Sequence, residues 1–179
     1  MKRSVMYYVI SIGSNIQPEQ HVAAAVSILT ETFGSLYLYP RVYTQAQFVE
    51  SNHVFINSVL VLKSSLAATE LKQELCRIEE LLGRDRTDPL RSVKDRSCDL
   101  DIIWQQPHWS EVWKTELTES YIQQVFDPAS TQAPIQLGFQ LFSERPAAIY
   151  FQAQAGDKFI VDQKPDALIN WLETSLLCN

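Results

Sequence analysis

The stretch Lys94–Trp104, KDRSCDLDIIW, sets two aspartates into what otherwise reads as a buried strand. Side chains alternate faces along a strand, so Cys98, Leu100 and Ile102 share one face, and Asp99, Asp101 and Ile103 share the other. Like charges on neighbouring positions of one face repel and raise one pKa unless a cation lies between them. At about 3.3 Å per residue the two Cα atoms stand ~6.5–7 Å apart, close enough to share metal ions. Mg²⁺ is commonly held by one or two carboxylates, with water and phosphate oxygens completing its octahedron. A solvated acid pair on an edge strand is the ordinary alternative, and the aspartates alone do not decide between the two.

The residues just before them tilt the balance. GRDRTDPLRSVKDR contains Arg84, Arg86, Arg91, Lys94 and Arg96, five of the fifteen basic residues of the chain. Arginine suits phosphate because its planar fork makes paired hydrogen bonds. Taken alone, these arginines read as a solvated loop partnered by Asp85, Asp88 and Asp95, since surface ion pairs are common and weak. Carboxylates for Mg²⁺ beside arginines for phosphate make a site for nucleotide phosphoryl transfer.

Outward from this stretch, hydrophobic periodicity gives an ordered set of elements. A first strand runs from Met6 to Ile12 and ends at Gly13-Ser14-Asn15. The spacing of Val22, Val26, Leu29 and Phe33 predicts a helix over 18–33, closed by Gly34. A second strand is expected over Leu36–Tyr43, a polar loop over Gln45–His53, and a strongly β-branched third strand over Val54–Leu62. Leu71, Leu75, Ile78 and Leu82 stripe a second helix over Ala67–Leu82, with Ser65 as its cap and Gly83 as its stop. The aspartate strand, Cys98–Gln105, comes next. The order β-α-β-β-α-β predicts an α+β fold of ferredoxin-like arrangement: an antiparallel sheet with both helices on one face, plus a C-terminal extension. In that extension Phe139–Phe142 reads as a short helix, and Pro165–Leu177 as a helix starting near Asp162 or at Pro165. Pro107–Gln132 is insertion-like, and its Trp109 and Trp113 are expected to pack on the body.

Composition excludes several classes. The chain has 179 residues, enough for one domain with a real core, and a net charge of −6, which argues against broad nucleic-acid or anionic-membrane binding. Cys76, Cys98 and Cys178 are odd in number and widely spaced, so no disulfide framework or zinc site is indicated and a cytoplasmic setting is expected. Val5–Ile12 is too short to span a bilayer, and the segment after it is too polar for a signal core. There is no Gly-x-x-x-x-Gly-Lys, Gly-x-Gly-x-x-Gly or Gly-x-Ser-x-Gly motif, and His21, His53 and His108 make no metal-ligand spacing.

Four pieces in order carry a resemblance: IGSN (Ile12–Asn15), FINSV (Phe55–Val59), RIEELLGRDR (Arg77–Arg86) and RSCDLDI (Arg96–Ile102). The chain resembles the 6-hydroxymethyl-7,8-dihydropterin pyrophosphokinase family from about Tyr8 to Trp104. The resemblance implies one pyrophosphokinase-like domain, a monomer, that transfers pyrophosphate from ATP to the pterin's hydroxymethyl oxygen and releases AMP in folate biosynthesis. It implies that Asp99 and Asp101 hold two Mg²⁺ ions. Arg84, Arg86 and Arg96 would bind the triphosphate, with Arg84 and Arg96 catalytic, and Glu79 and Ile102 would lie at the nucleotide. Thr44, Phe55, Asn57 and Phe139 would take the pterin, the two phenylalanines sandwiching its ring.

The chain also departs from the family. Leu137 stands where an arginine precedes Gly-Phe, and no histidine follows His108, with Thr131 near the family's histidine position. Gln45-Ala46-Gln47 replaces a proline-rich turn, and Val93 stands where a tryptophan is frequent. A second reading therefore stands beside the enzyme: a degenerate paralogue acting as a pterin-binding or regulatory module. A third, a ferredoxin-like interaction or nucleic-acid module, is opposed by the net charge and the lack of an aromatic-basic sheet motif.

Overall fold

A computed structural model of the chain describes residues 4–45, 53–90, 94–142, 145–153 and 156–174. β1 (Met6–Ser14), α1 (Pro18–Phe33), β2 (Ser35–Leu38), β3 (Val42–Thr44), β4 (Phe55–Ser64), α2 (Ala68–Leu81) and β5 (Asp99–Gln106) follow in chain order. The β-branched run of β4 takes the interior of the sheet. All ten of its residues are buried, because layers cover both faces. β1 pairs with β4 on one side and with β5 on the other, antiparallel in both cases. This register sets Gly13 opposite both Asn57 and Asp99, and Ser11 opposite Asp101. The expected boundaries of β1, α1, β4, α2 and β5 hold to within two residues.

The molecule is mixed α/β with a largely antiparallel sheet in the order β5-β1-β4-β2, with β3 also on β4. The expected second strand, Leu36–Tyr43, is in fact two strands. Pro40 has no N–H to give a ladder, and the chain breaks there into β2 and β3 after the Tyr39 N–H donates to Val59 O at 2.9 Å. Ser65 is not the cap of α2. Ala67 holds that position, and the Glu70 carboxylate accepts its N–H at 2.8 Å.

The alternation expected around the aspartates is observed. Cys98, Leu100 and Ile102 join the core beneath α1 and α2, with Ile10, Leu60, Leu29 and Leu75. Ile103 and Trp104 pack into the opposite core, and a bulge between Val9 and Ile10 in the β1–β5 register lets both do so.

The extension builds that opposite layer. α3 (Trp113–Glu116) and α4 (Ser120–Phe126) bring Trp113, Ile122 and Val125 onto the sheet. Tyr39, Trp113 and Phe126 meet edge to face at centroid distances of 5.2–5.7 Å, and Trp109 tilts onto Tyr7 at 5.7 Å, so the tryptophans of the insertion-like segment do pack on the body. β6 (Ile135–Leu137) and β7 (Gln140–Phe142) form a hairpin where a short helix was expected. Gly138, at φ 56°, supplies the left-handed residue of its two-residue turn. β8 (Ala147–Phe151) and β9 (Phe159–Asp162) extend the sheet beyond β2. Asp162 thus lies in a strand, and the last helix, α5 (Ala167–Glu173), begins after Asp166 and is shorter than the expected Pro165–Leu177, whose last residues lie outside those described. The Lys63 ammonium closes the end of α5 by donating to Trp171 O at 2.6 Å, Leu172 O at 2.8 Å and Thr174 O at 2.7 Å. No described helix is long and apolar enough to cross a membrane.

Candidate active site

A cavity of about 350 Å³ opens where the C-terminal end of β1 meets the starts of β4 and β5. That volume is within the range of small-molecule sites, about 300–1,000 Å³. Thr44, Phe55 and Asn57 form one wall, and Arg96, Asp99 and Asp101 form the other. Gly13 lies between them. A Cβ at Gly13 would stand 2.7 Å from Asn57 Oδ1, so only glycine lets the amide lie across this strand. Asn57 Nδ2 donates to Thr44 Oγ1 at 2.6 Å, which fixes the amide over the cavity.

On the opposite wall the charges are already matched to one another. Arg84 Nη1 donates to Asp99 Oδ1 and Arg96 Nη1 donates to Asp99 Oδ2. Burial by itself would raise the Asp99 pKa, but Arg96 and Arg84 outweigh it and hold the carboxyl below its usual range. Behind them Glu79 is wholly buried. Its Oε1 accepts the Leu100 N–H at 2.7 Å and a longer bond from Arg84 at 3.4 Å, and its Oε2 accepts from Arg86 Nη1. Burial raises the Glu79 pKa, with the Leu100 N–H and Arg84 pulling against it. The Arg84 Nε is buried and has no hydrogen-bond partner among the described residues.

Asn15, the last residue of the IGSN piece, holds the loop that delivers Arg96. Its side-chain oxygen accepts the Arg96 N–H at 2.7 Å, its own N–H donates to Arg96 O at 3.1 Å, and its Nδ2 donates to Asp95 Oδ1 at 2.6 Å. Asp95 Oδ2 in turn meets His53 Nδ1 at 2.7 Å.

Most of the expected site residues converge on this cavity or stand directly behind its acidic wall. Two are elsewhere. Ile102 packs, partly buried, in the core beneath the helices. Phe139 is 86% exposed at the tip of the β6–β7 hairpin and does not line the cavity. Val93 and Ala46-Gln47 lie outside the described residues, and Leu137, which the resemblance sets against an arginine, is buried in the core. Thr131 does not line the cavity.

Three lining residues went unread in the sequence: Ser11, Glu119 and Tyr121. Burial raises the Tyr121 pKa, the Ser11 hydroxyl pulls against the rise, and Glu119, Asp101 and Asp99 add to it. No local signal marks Glu119 and Tyr121, which reach the cavity because Ile122 and Val125 seat α4 in the opposite core.

The donor set fits Mg²⁺. Asp99 and Asp101 offer hard carboxylate oxygens on one side of a strand, facing open space for water and phosphate. Among the described residues no group of three or more His, Cys, Asp and Glu is placed to hold a metal ion.

The family model for 7,8-dihydro-6-hydroxymethylpterin-pyrophosphokinase matches residues 9–134. Two curated relatives, both named 2-amino-4-hydroxy-6-hydroxymethyldihydropteridine pyrophosphokinase, come from two strains of Porphyromonas gingivalis. Each is 32% identical over 96 residues, 52% of this chain and 65% of the relative. The chain thus spans just under two thirds of the length of these relatives. A match from β1 through the acidic strand and the far-face helices, over well more than half of the sequence, places the chain in the 7,8-dihydro-6-hydroxymethylpterin-pyrophosphokinase family.

Proposed function

We propose that the chain is a pyrophosphokinase that moves the pyrophosphoryl group of ATP onto the hydroxymethyl oxygen of 6-hydroxymethyl-7,8-dihydropterin. The substrate oxygen attacks the β-phosphorus, the bond from that phosphorus to the oxygen bridging it to the α-phosphate breaks, AMP leaves, and the hydroxyl proton is released. One observation carries this reading: two aspartates and Arg96 share a cavity wall with Arg84 and Arg86 behind it, opposite a wall of Thr44, Phe55 and Asn57.

Asp99 and Asp101 would hold Mg²⁺, which supplies charge neutralisation along the triphosphate. The rest is the work of the side chains. Arg84 and Arg96 now spend their charge on Asp99, so on binding each ion exchanges one partner for another, carboxylate for phosphate, with little rearrangement. Asn57 and Thr44 would hydrogen-bond the pterin edge and Phe55 would stack on its ring. Phe139 would complete the sandwich only if the hairpin moves inward. The strand order β5-β1-β4-β2 supports reading the first 106 residues as ferredoxin-like, within one domain over 1–179.

The buried Leu137 and the placement of Thr131 outside the cavity favour the second reading, a pterin-binding module with no transfer activity. Incubation with ATP, Mg²⁺ and the hydroxymethyl dihydropterin separates the two. The enzyme yields AMP and diphosphorylated pterin in equal amounts. The module binds pterin and leaves ATP intact.

A further inference from the structure

β5 is an edge strand, and edge strands carry backbone groups that need covering. At Leu100, between the two aspartates, α2 covers both. Glu79 accepts the N–H, and the Lys72 ammonium donates to the carbonyl at 2.7 Å. The same ammonium reaches round the edge to Asp101 Oδ1, also at 2.7 Å. A backbone carbonyl therefore anchors this lysine in place against a carboxylate that lines the cavity.

We infer that Lys72 is a resident cation on Asp101 that weakens the binding of free divalent metal, so that the metal is taken up together with the triphosphate. This rests on the reading that Asp99 and Asp101 hold Mg²⁺. A divalent ion on Asp101 and an ammonium on the same carboxylate repel at close range. Asp99 is neutralised in the same way by Arg84 and Arg96, so neither acid presents a free charge to a bare metal ion. A nucleotide brings four negative charges or nearly so, which relieves that repulsion and gives the displaced cations a partner. The Lys72 and Asp101 side chains are 37% and 54% exposed, so the pair is screened and yields readily.

The test uses Mn²⁺ as the probe, titrated into the full-length, nucleotide-free chain and followed by electron paramagnetic resonance. Lys72→Met binds Mn²⁺ about three- to tenfold more tightly than the wild type, and the gain shrinks as ionic strength rises. Lys72→Gln, which keeps a donor for the Leu100 carbonyl, shows the same gain, and Lys72→Arg binds as the wild type does. Unchanged or weaker binding in both neutral variants overturns the inference, as does an absence of Mn²⁺ binding in them. The metal reading has its own arm. Mn²⁺·ATP binding that disappears in Asp99→Asn and Asp101→Asn sustains it whatever Lys72 does, and binding that persists in both variants rejects it.

Discussion

The Glu79 carboxylate, wholly buried, accepts the Leu100 N–H at 2.7 Å, one residue from each of the two aspartates. This bond fastens α2 to the edge strand and fixes the height at which Asp99 and Asp101 stand. Glu79→Ala strands the Leu100 N–H and removes a carboxylate partner from Arg84 and Arg86. It lowers stability by about 3 kcal/mol, measured as a shift of the urea unfolding midpoint at unchanged m-value. Glu79→Gln, which keeps an acceptor, costs less.

The acid dependence of stability carries two opposite signs. The Asp99 carboxyl is held below its usual value of 3.8, so its contribution is complete above that value and is lost as pH falls through the lower folded pKa. The Glu79 carboxyl is raised above its usual 4.5, so its contribution is complete below 4.5 and is lost as pH rises through the folded pKa. Unfolding curves across pH 2–7 (about five units) should show Asp99→Asn removing part of the acid loss, and Glu79→Gln removing a gain on mild acidification. A Glu79→Gln profile parallel to the wild type contradicts the assignment.

Gly13→Ala tests the crossing between the two walls. The added methyl meets Asn57 Oδ1, and the amide must swing off Thr44. Pterin affinity falls on the order of tenfold by calorimetry, while nucleotide affinity changes far less.

The two phenylalanines should separate packing from binding. Phe55 is 8% exposed in the cavity wall and Phe139 is 86% exposed on its hairpin. Phe55→Ala lowers both stability and pterin affinity. Phe139→Ala leaves stability within about 0.5 kcal/mol and, if the hairpin closes on the ligand, weakens pterin binding on the order of tenfold. An unchanged pterin affinity removes Phe139 from the site.

The half of the chain up to β5 was legible because its elements are long and periodic. The stripe through Leu71, Leu75 and Ile78 and the β-branched run of β4 each admit one reading. The alternation through Asp99 and Asp101 carried the acidic wall as well, because period two leaves no freedom in which side chains share a face. What failed was short or set by tertiary contacts. Phe139–Phe142 has helix-like composition, yet pairing with Ile135–Leu137 makes it a strand. Tyr121 and Glu119 reach the cavity only because Ile122 and Val125 seat α4 on the far face of the sheet, which no local pattern announces. The partners of the arginines were also hidden. Arg84 and Arg96 meet on Asp99 across fifteen and three residues, a convergence fixed by the loop that Asn15 clamps.

The most direct measurement is a single-turnover reaction with the protein in excess over ATP and the hydroxymethyl dihydropterin, quenched over time and assayed for AMP and diphosphorylated pterin. The wild type with Mg²⁺ forms both in step. EDTA stops the reaction, and Asp99→Asn with Asp101→Asn, still folded, slows it on the order of a thousandfold or more. Equal rates in the double variant and the wild type, or formation of both products in EDTA, would contradict the account.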